Sequence, residues 1–262
     1  MKDLLNLTHQ DRRKFPRHFL VSVHAEIKFD GNFTDLIINN RQKLDQQFKT
    51  LGFTQNRKVI RGQINMNVAK NEESTHIQQS AVPLGIVFLS QNPRRELQIL
   101  GDKIILSDFS YDGFENFKDR LSSYAKIVQG FLEIKKVSKL GFRKINAIKI
   151  EPATSLQEAC AVFNPVMFAR LRSGLVNDES LNVSEEVMVL ERNNHICVLR
   201  NSLKKLPQPN AYEANLDFDL IDKSTASLED TLGTKLKDLN SAHFDLFMWS
   251  VTDELIKLME AP

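Results

Sequence analysis

Residues 139–150 read KLGFRKINAIKI, and the alternation in this stretch decides how the chain is read. In an extended strand successive side chains point to opposite faces. Gly141, Arg143, Ile145 and Ala147 then share one face, while Phe142, Lys144, Asn146 and Ile148 share the other. Neither face is cleanly polar. A guanidinium in such company, once desolvated, needs a carboxylate or several carbonyl partners, because an unpaired buried charge is very costly. Two readings of Arg143 follow. It makes an ion pair that locks one lobe to the other, with Asn146 bonding loop backbone, or it belongs to an anion or partner pocket floored by Gly141.

Working outward, residues 19–29 (FLVSVHAEIKF) alternate as a half-buried strand, with Val21, Val23, Ala25, Ile27 and Phe29 on one face, before an Asp30-Gly31 turn. Leu36, Ile37, Asn40, Leu44, Gln47, Phe48 and Leu51 fall at helical spacing up to Gly52, a natural stop. Strand patterns follow at Lys58–Val68, Leu84–Ser90, Glu96–Leu100 and Lys103–Phe109, the last two joined by Gly101-Asp102. Residues 112–132 return to helical period through Phe114, Phe117, Leu121, Tyr124, Ile127, Val128 and Phe131.

Beyond residue 150, alternation recurs at Phe168–Leu175, Val187–Glu191 and His195–Leu199, with Asn193-Asn194 as a turn pair. Leu216, Phe218 and Leu220 oppose Asp217 and Asp219 on another strand. Ser227 with Asp230 resembles a capping box, and Leu228, Leu232, Leu236, Leu239, His243, Leu246 and Ser250 form an apolar helical seam running to Met259. The expected fold class is α+β: two lobes of antiparallel strands, each covered by helices, ending in a long C-terminal helix. The lobes are placed at 1–151 and 159–262, packed as one unit, with a linker from Pro152 to Glu158.

The chain has 262 residues, 42% hydrophobic and 26% charged, close to the averages for folded domains. That length supports a core without disulfides or metals. Cys160 and Cys197 lack metal-ligand spacing, and two cysteines in such a length do not make a disulfide framework, which favours a reducing compartment. No apolar run reaches the roughly 18 residues of a membrane span, and MKDLLNLTHQDRRKF has no signal-peptide core, so a cytoplasmic protein without membrane association is expected. Net charge is only +2, but residues 211–262 hold eleven acidic against four basic residues. Basic groups cluster at Arg12–Lys14 with Arg17, at Arg57 and Lys58, at Arg94 and Arg95, at Lys135 and Lys136, and at Lys204 and Lys205. Such asymmetry fits a nucleic-acid surface, self-association, or an acidic helix packed on a basic sheet, the last preferred because each cluster is short.

KLGFRKIN, placed after an aromatic helix near mid-chain, resembles the pattern basic-x-Gly-Leu-Arg-Tyr-x-Asn of a sporadically distributed family of uncharacterised bacterial proteins. FLVSVHAEIKF after Pro16, the LDFD strand at 216–219 and AHFDLFMWSVTDELIKLM near the C-terminus are similar to it as well. Gly141, Arg143 and Asn146 match the motif, whereas Lys139 stands where arginine is usual and Lys144 where tyrosine is usual. The resemblance implies a fold and a bacterial setting, with a patchy distribution suited to mobile antiphage-defence or toxin–antitoxin loci, and no reaction.

Asp217 and Asp219 on one strand face offer oxygens for a divalent cation, but a solvated face is the expectation because Leu216, Phe218 and Leu220 supply the buried one. His243 falls in the apolar seam and is expected to be a packed histidine bonded to backbone or carboxylate. Zinc-type histidine spacing, a phosphate-cradling loop, a dinucleotide fingerprint and a cysteine-nucleophile motif are all missing, so no cofactor or metal is expected and an enzyme ranks below a binding protein. Three readings of function stay open. The preferred one is a non-enzymatic binding or regulatory protein that self-associates through sheet edges or the terminal helix. The second is nucleic-acid binding through Arg12, Arg13, Arg57, Arg94, Lys135 and Lys136. The third is a small-anion or hydrolytic site between sheet and helix, using Arg143 with Asp217 or Asp219, alongside the motif residues Lys139, Gly141 and Asn146.

Overall fold

The computed structural model describes residues 4–13, 15–68 and 75–260, except the side chains of residues 63–80; Lys14 of the N-terminal basic cluster lies outside them. In chain order the elements are β1 (Leu20–Phe29), α1 (Thr34–Asn39), α2 (Arg41–Thr50), β2 (Gln55–Val68), β3 (Thr75–Gln91), β4 (Arg94–Leu100), β5 (Lys103–Asp108) and α3 (Phe114–Gln129). There follow β6 (Val137–Ile150), α4 (Leu156–Ala161), α5 (Ala169–Arg172), β7 (Val183–Arg192), β8 (His195–Lys205), β9 (Tyr212–Asp222), α6 (Leu228–Asp230), α7 (Leu236–Ser250) and α8 (Asp253–Glu260). The strands form one antiparallel sheet in the order β2-β3-β4-β5-β1-β6-β9-β8-β7.

The fold is α+β, and each half follows the same plan. A central strand, β1 or β6, is followed by short helices and by strands laid down from the rim inward. The last of these, β5 or β9, returns beside the central strand, and a long helix, α3 or α7, comes next. β6, which carries KLGFRKINAIKI, pairs with β1 on one side and β9 on the other, so residues 1–151 and 159–262 share one sheet through it.

The helices cover one sheet face. Val23, Ala25, Ile27 and Phe29 of β1 are buried there, as their alternation predicts, and meet Phe117, Leu121 and Val128 of α3 in one core. Val21 departs from its expected face and is exposed, because the β1–β6 register shifts between Leu20 and Ser22. Gly85 marks where β3 crosses closest to β4: a Cβ there would lie 2.0 Å from the Ile99 carbonyl oxygen, so no larger residue fits.

Two sequence expectations need correction. Phe168–Leu175 is not a strand: Phe168 turns the chain with φ +98° and opens α5. Its alternating apolar residues instead serve a compact turn, where Phe168 packs on Phe163 at 5.1 Å and Arg172 donates to the Phe163 carbonyl at 2.8 Å. The terminal helix does not run unbroken to Met259. Ser227 caps its start by accepting from the Asp230 amide at 3.0 Å, but Thr231–Lys235 forms a π turn, and Val251 turns extended to bridge Phe163 before α8 begins.

The charge asymmetry has an intramolecular partner. The basic N-terminal segment lies along α7 and α8: His9 Nδ1 is 3.1 Å from Asp245 Oδ2, Arg13 Nη1 donates to Glu260 Oε1 at 2.5 Å, and the Arg17 amide donates to the Met259 carbonyl at 3.2 Å. Basic segment and acidic helices thus meet within the molecule, with the N-terminal strap rather than the sheet as the basic partner.

Asp108, at the end of β5, is fully buried on the helix face and bonds Arg95 Nε at 3.1 Å and Arg120 Nη2 at 2.8 Å. Removing one member of a buried pair strands the others. Asp108→Ala is expected to lower unfolding free energy by about 3–5 kcal/mol in urea titrations. Asp102→Ala, which breaks an exposed pair with Lys28, should cost less than about 1 kcal/mol.

Candidate functional site

The expected motif residues divide between the two sheet faces. On the face away from the helices, Arg143 grips Asp217 with both prongs, Nε to Oδ1 at 2.7 Å and Nη2 to Oδ2 at 2.5 Å, and Arg200 Nη1 approaches Asp217 Oδ2 at 3.6 Å. Lys139 pairs with Glu26 at 2.5 Å beside Lys103 at 3.2 Å. Asp219 sits directly across from Arg143, and burial holds its carboxyl above the usual range. Asp217 is buried rather than solvated, because two guanidiniums fold over it. The Arg143 ion pair therefore joins β6 to the second half of the chain. Gly141 shows no tight approach: a Cβ there would be in ordinary contact with Glu26 and Ile221 at 3.7 and 4.0 Å. Asn146 lies on the opposite face, and its Nδ2 donates weakly to the Leu216 carbonyl of β9 at 3.4 Å, not to a loop. Among the described residues no group of three or more His, Cys, Asp or Glu side chains is placed to hold a metal ion.

The nucleic-acid candidates do not gather on one surface. Arg57 is exposed on β2, and Arg94 stacks over Phe109 at 4.5 Å near the start of β1. Lys135 and Lys136 are exposed just before β6, whose first residue pairs with the far end of β1. Arg12 and Arg13 lie elsewhere again, on the wall of a cavity.

That cavity, of about 650 Å³, lies between the helix face of β6 and β9, the start of α3, and α7, with the N-terminal strap along one side. Phe15, Phe19, Tyr111, Phe114, Phe218, Phe244 and Phe247 supply its aromatic wall. Lys144, Asn146, Asn240 and His243 supply polar groups, and Arg12, Arg13, Asp112 and Glu115 bring charges of both signs to the rim. Lys144 reaches this wall by strand parity: its neighbours in register are Val23 and Phe218, both core residues.

Lys144 Nζ donates to Asn240 Oδ1 at 2.6 Å and stands 5.3 Å from the Phe142 ring. No carboxylate pairs with it among the described residues. The one carboxylate in its row, Asp108, is two strands away, about 10 Å by strand spacing, and is engaged by Arg95 and Arg120. Burial, reinforced by the Arg12 guanidinium, pushes the Lys144 ammonium down to about 7. His243 is buried as the seam predicts, and its Nε2 lies 2.6 Å from the Phe142 carbonyl oxygen. A carbonyl only accepts, so Nε2 carries the proton and Nδ1 is a bare acceptor, with no partner among the described residues. Burial and the nearby lysine hold this imidazole down at about 3, so it is neutral at physiological pH. Cys160 and Cys197 are free, buried thiols pushed up to about 11 and about 12, unsuited to nucleophilic work.

No model of a known protein family matches the chain, and no curated protein matches it. No helix among the described residues is long and apolar enough to cross a membrane. The site therefore has to be read from its own chemistry.

Sequence reasoning placed Lys144 on the same strand face as Phe142 and Ile148 yet weighed only Arg143. The available signal was a cation between Phe142 and Ile148 on a face whose other polar residue, Asn146, carries no charge. Lys144→Met is expected to stabilise the fold by roughly 2 kcal/mol at neutral pH, since it removes a desolvated charge. The folded pKa lies below the unfolded one, so the unfolded chain holds the proton more tightly between about 10.5 and about 7. The wild type is therefore penalised fully below that window and not above it. Urea unfolding of both proteins at neutral and alkaline pH checks the sign: the gap must narrow as pH rises.

Proposed function

We propose that the protein is a non-enzymatic binding protein for a small molecule that joins an apolar, ring-bearing body to one anionic group. The observation that carries this reading is an ammonium on the wall of an aromatic cavity with no carboxylate partner among the described residues. An isolated cation in such surroundings is costly unless an anion joins it. The cavity volume lies within the range of sites for drug-sized ligands, about 300–1,000 Å³. On this reading a small-anion site lies between sheet and helix, centred on Lys144 rather than on Arg143. In the mobile-locus setting implied by the resemblance, such a protein would act as a ligand-responsive regulator. An anilinonaphthalene sulfonate dye should bind at a single saturable site, about tenfold more weakly in Lys144→Met. Equal binding by both proteins, or none that saturates, would overturn the reading.

Self-association is supported by a separate feature. β7 is an edge strand whose Val183, Val187, Met188 and Val189 are all exposed. Antiparallel pairing with β7 of a second copy would satisfy its free backbone groups and cover these side chains. Sedimentation should show a concentration-dependent dimer that Val187→Lys shifts to monomer; a wild type monomeric at high concentration would exclude it.

A further inference from the structure

We propose that Lys144 captures an aromatic 2-oxo acid in the cavity as a covalent imine, the ring lying among the phenylalanines and the carboxylate facing Arg12. This rests on the cavity being the ligand site and names the ligand's class. An amine attacks a carbonyl only when unprotonated, and it does so best where water and carboxylates are kept away. Among the described residues no carboxylate is paired with Nζ, although Asp112 and Glu115 also line the cavity. Asn240 Oδ1 accepts from Nζ at 2.6 Å and fixes the amine's orientation, with the Phe142 and Tyr111 rings at 5.3 and 5.9 Å from Nζ. Burial beside Arg12 lowers the amine's hold on its proton, so that it is available unprotonated near neutral pH.

Arg12 is the second cation on the wall. Its Nη2 donates to the Lys237 carbonyl at 3.2 Å and its guanidinium lies 5.9 Å from the Phe114 ring, with no carboxylate paired to it among the described residues. Arg13, by contrast, is engaged by Glu260. A ligand that satisfies both unpaired cations needs a carboxylate for one and an electrophilic carbonyl for the other, which is the pattern of a 2-oxo acid. A ring is the body that fits the remaining wall.

The step balances without an oxidant or metal. The Nζ lone pair forms a C–N bond to the ketone carbon as the C=O pair moves to oxygen. A proton passes from nitrogen to that oxygen, giving a neutral carbinolamine. A proton from solvent then takes the hydroxyl away as water, and the nitrogen lone pair closes the C=N bond as a protonated imine.

Phenylpyruvate with cyanoborohydride is the test. One adduct per chain is expected, with the mass of the probe less one oxygen, and peptide mapping should place it on Lys144. Lys144→Met, checked for folding by circular dichroism, should lose it. Arg12→Gln, compared with the wild type at alkaline pH where the amine is free in both, should slow adduct formation with phenylpyruvate about tenfold more than with phenylacetaldehyde, which has no carboxylate. Adducts spread over surface lysines would overturn the proposal. So would calorimetric binding of phenylpyruvate with no adduct, an outcome that leaves the cavity standing as an anion site. Absence of both binding and adduct would remove the two together.

Discussion

The antiparallel register between β1 and β6 is the constraint on which the rest of the structure depends. Ala25 faces Phe142, His24 faces Arg143 and Val23 faces Lys144. Because side chains alternate, a slip of one residue would exchange the two faces of β6. Arg143 would leave Asp217 and enter the core, and Lys144 would leave the cavity for solvent. Two features oppose that slip. Phe142 is fully buried among Phe114, Phe117 and His243, and Arg143 holds Asp217 with two prongs on the other side of the sheet. Core packing and ion pair thus specify the same register, one from each face.

The repeated plan of the two halves explains why a cavity lies at the centre. α3 and α7 occupy corresponding places, each following the strand that returns beside β1 or β6. Two helices laid on adjoining halves of a twisted sheet diverge at one end unless side chains fill the gap. Here the gap is walled by the N-terminal strap, with Phe15 stacked on Phe244 at 6.4 Å and Arg13 bonded to Glu260. The acidic bias of the last fifty residues thereby serves the site, since α7 and α8 are what the basic strap docks upon.

Much of the layout was legible because each element carried its own period. The β1 alternation, the α3 stripe, the Asn193-Asn194 turn and the Ser227 cap all name local geometry that tertiary contacts then respect. Phe168–Leu175 failed because a short alternation of apolar residues also fits a turn packed on Phe163. The break at Val251 was hidden because α8 continues the apolar seam after only two intervening residues, Val251 and Thr252. The site was only half legible. Its strand face could be written down from KLGFRKINAIKI, but nothing local says that Asp217 answers Arg143 while no carboxylate answers Lys144. That difference is set by β9 and α7, more than seventy residues away in the chain.

Asp108 and Lys144 make the comparison that gives the cavity its meaning. They lie in one row on the same sheet face, separated by Val23, and both are charged groups in apolar surroundings. Asp108 is met by two guanidiniums and an amide, Arg95, Arg120 and Ser110, so its charge is fully answered within the chain. Lys144 is met by one amide oxygen and a repelling guanidinium nearby. The same fold, on the same face, therefore pairs one buried charge and leaves the other unpaired. A purely architectural position would be better filled by methionine, which carries no charge to desolvate. Strain of this kind concentrates where a protein acts on something outside itself. On the proposed reading, the unanswered ammonium is the feature that a ligand of opposite charge completes.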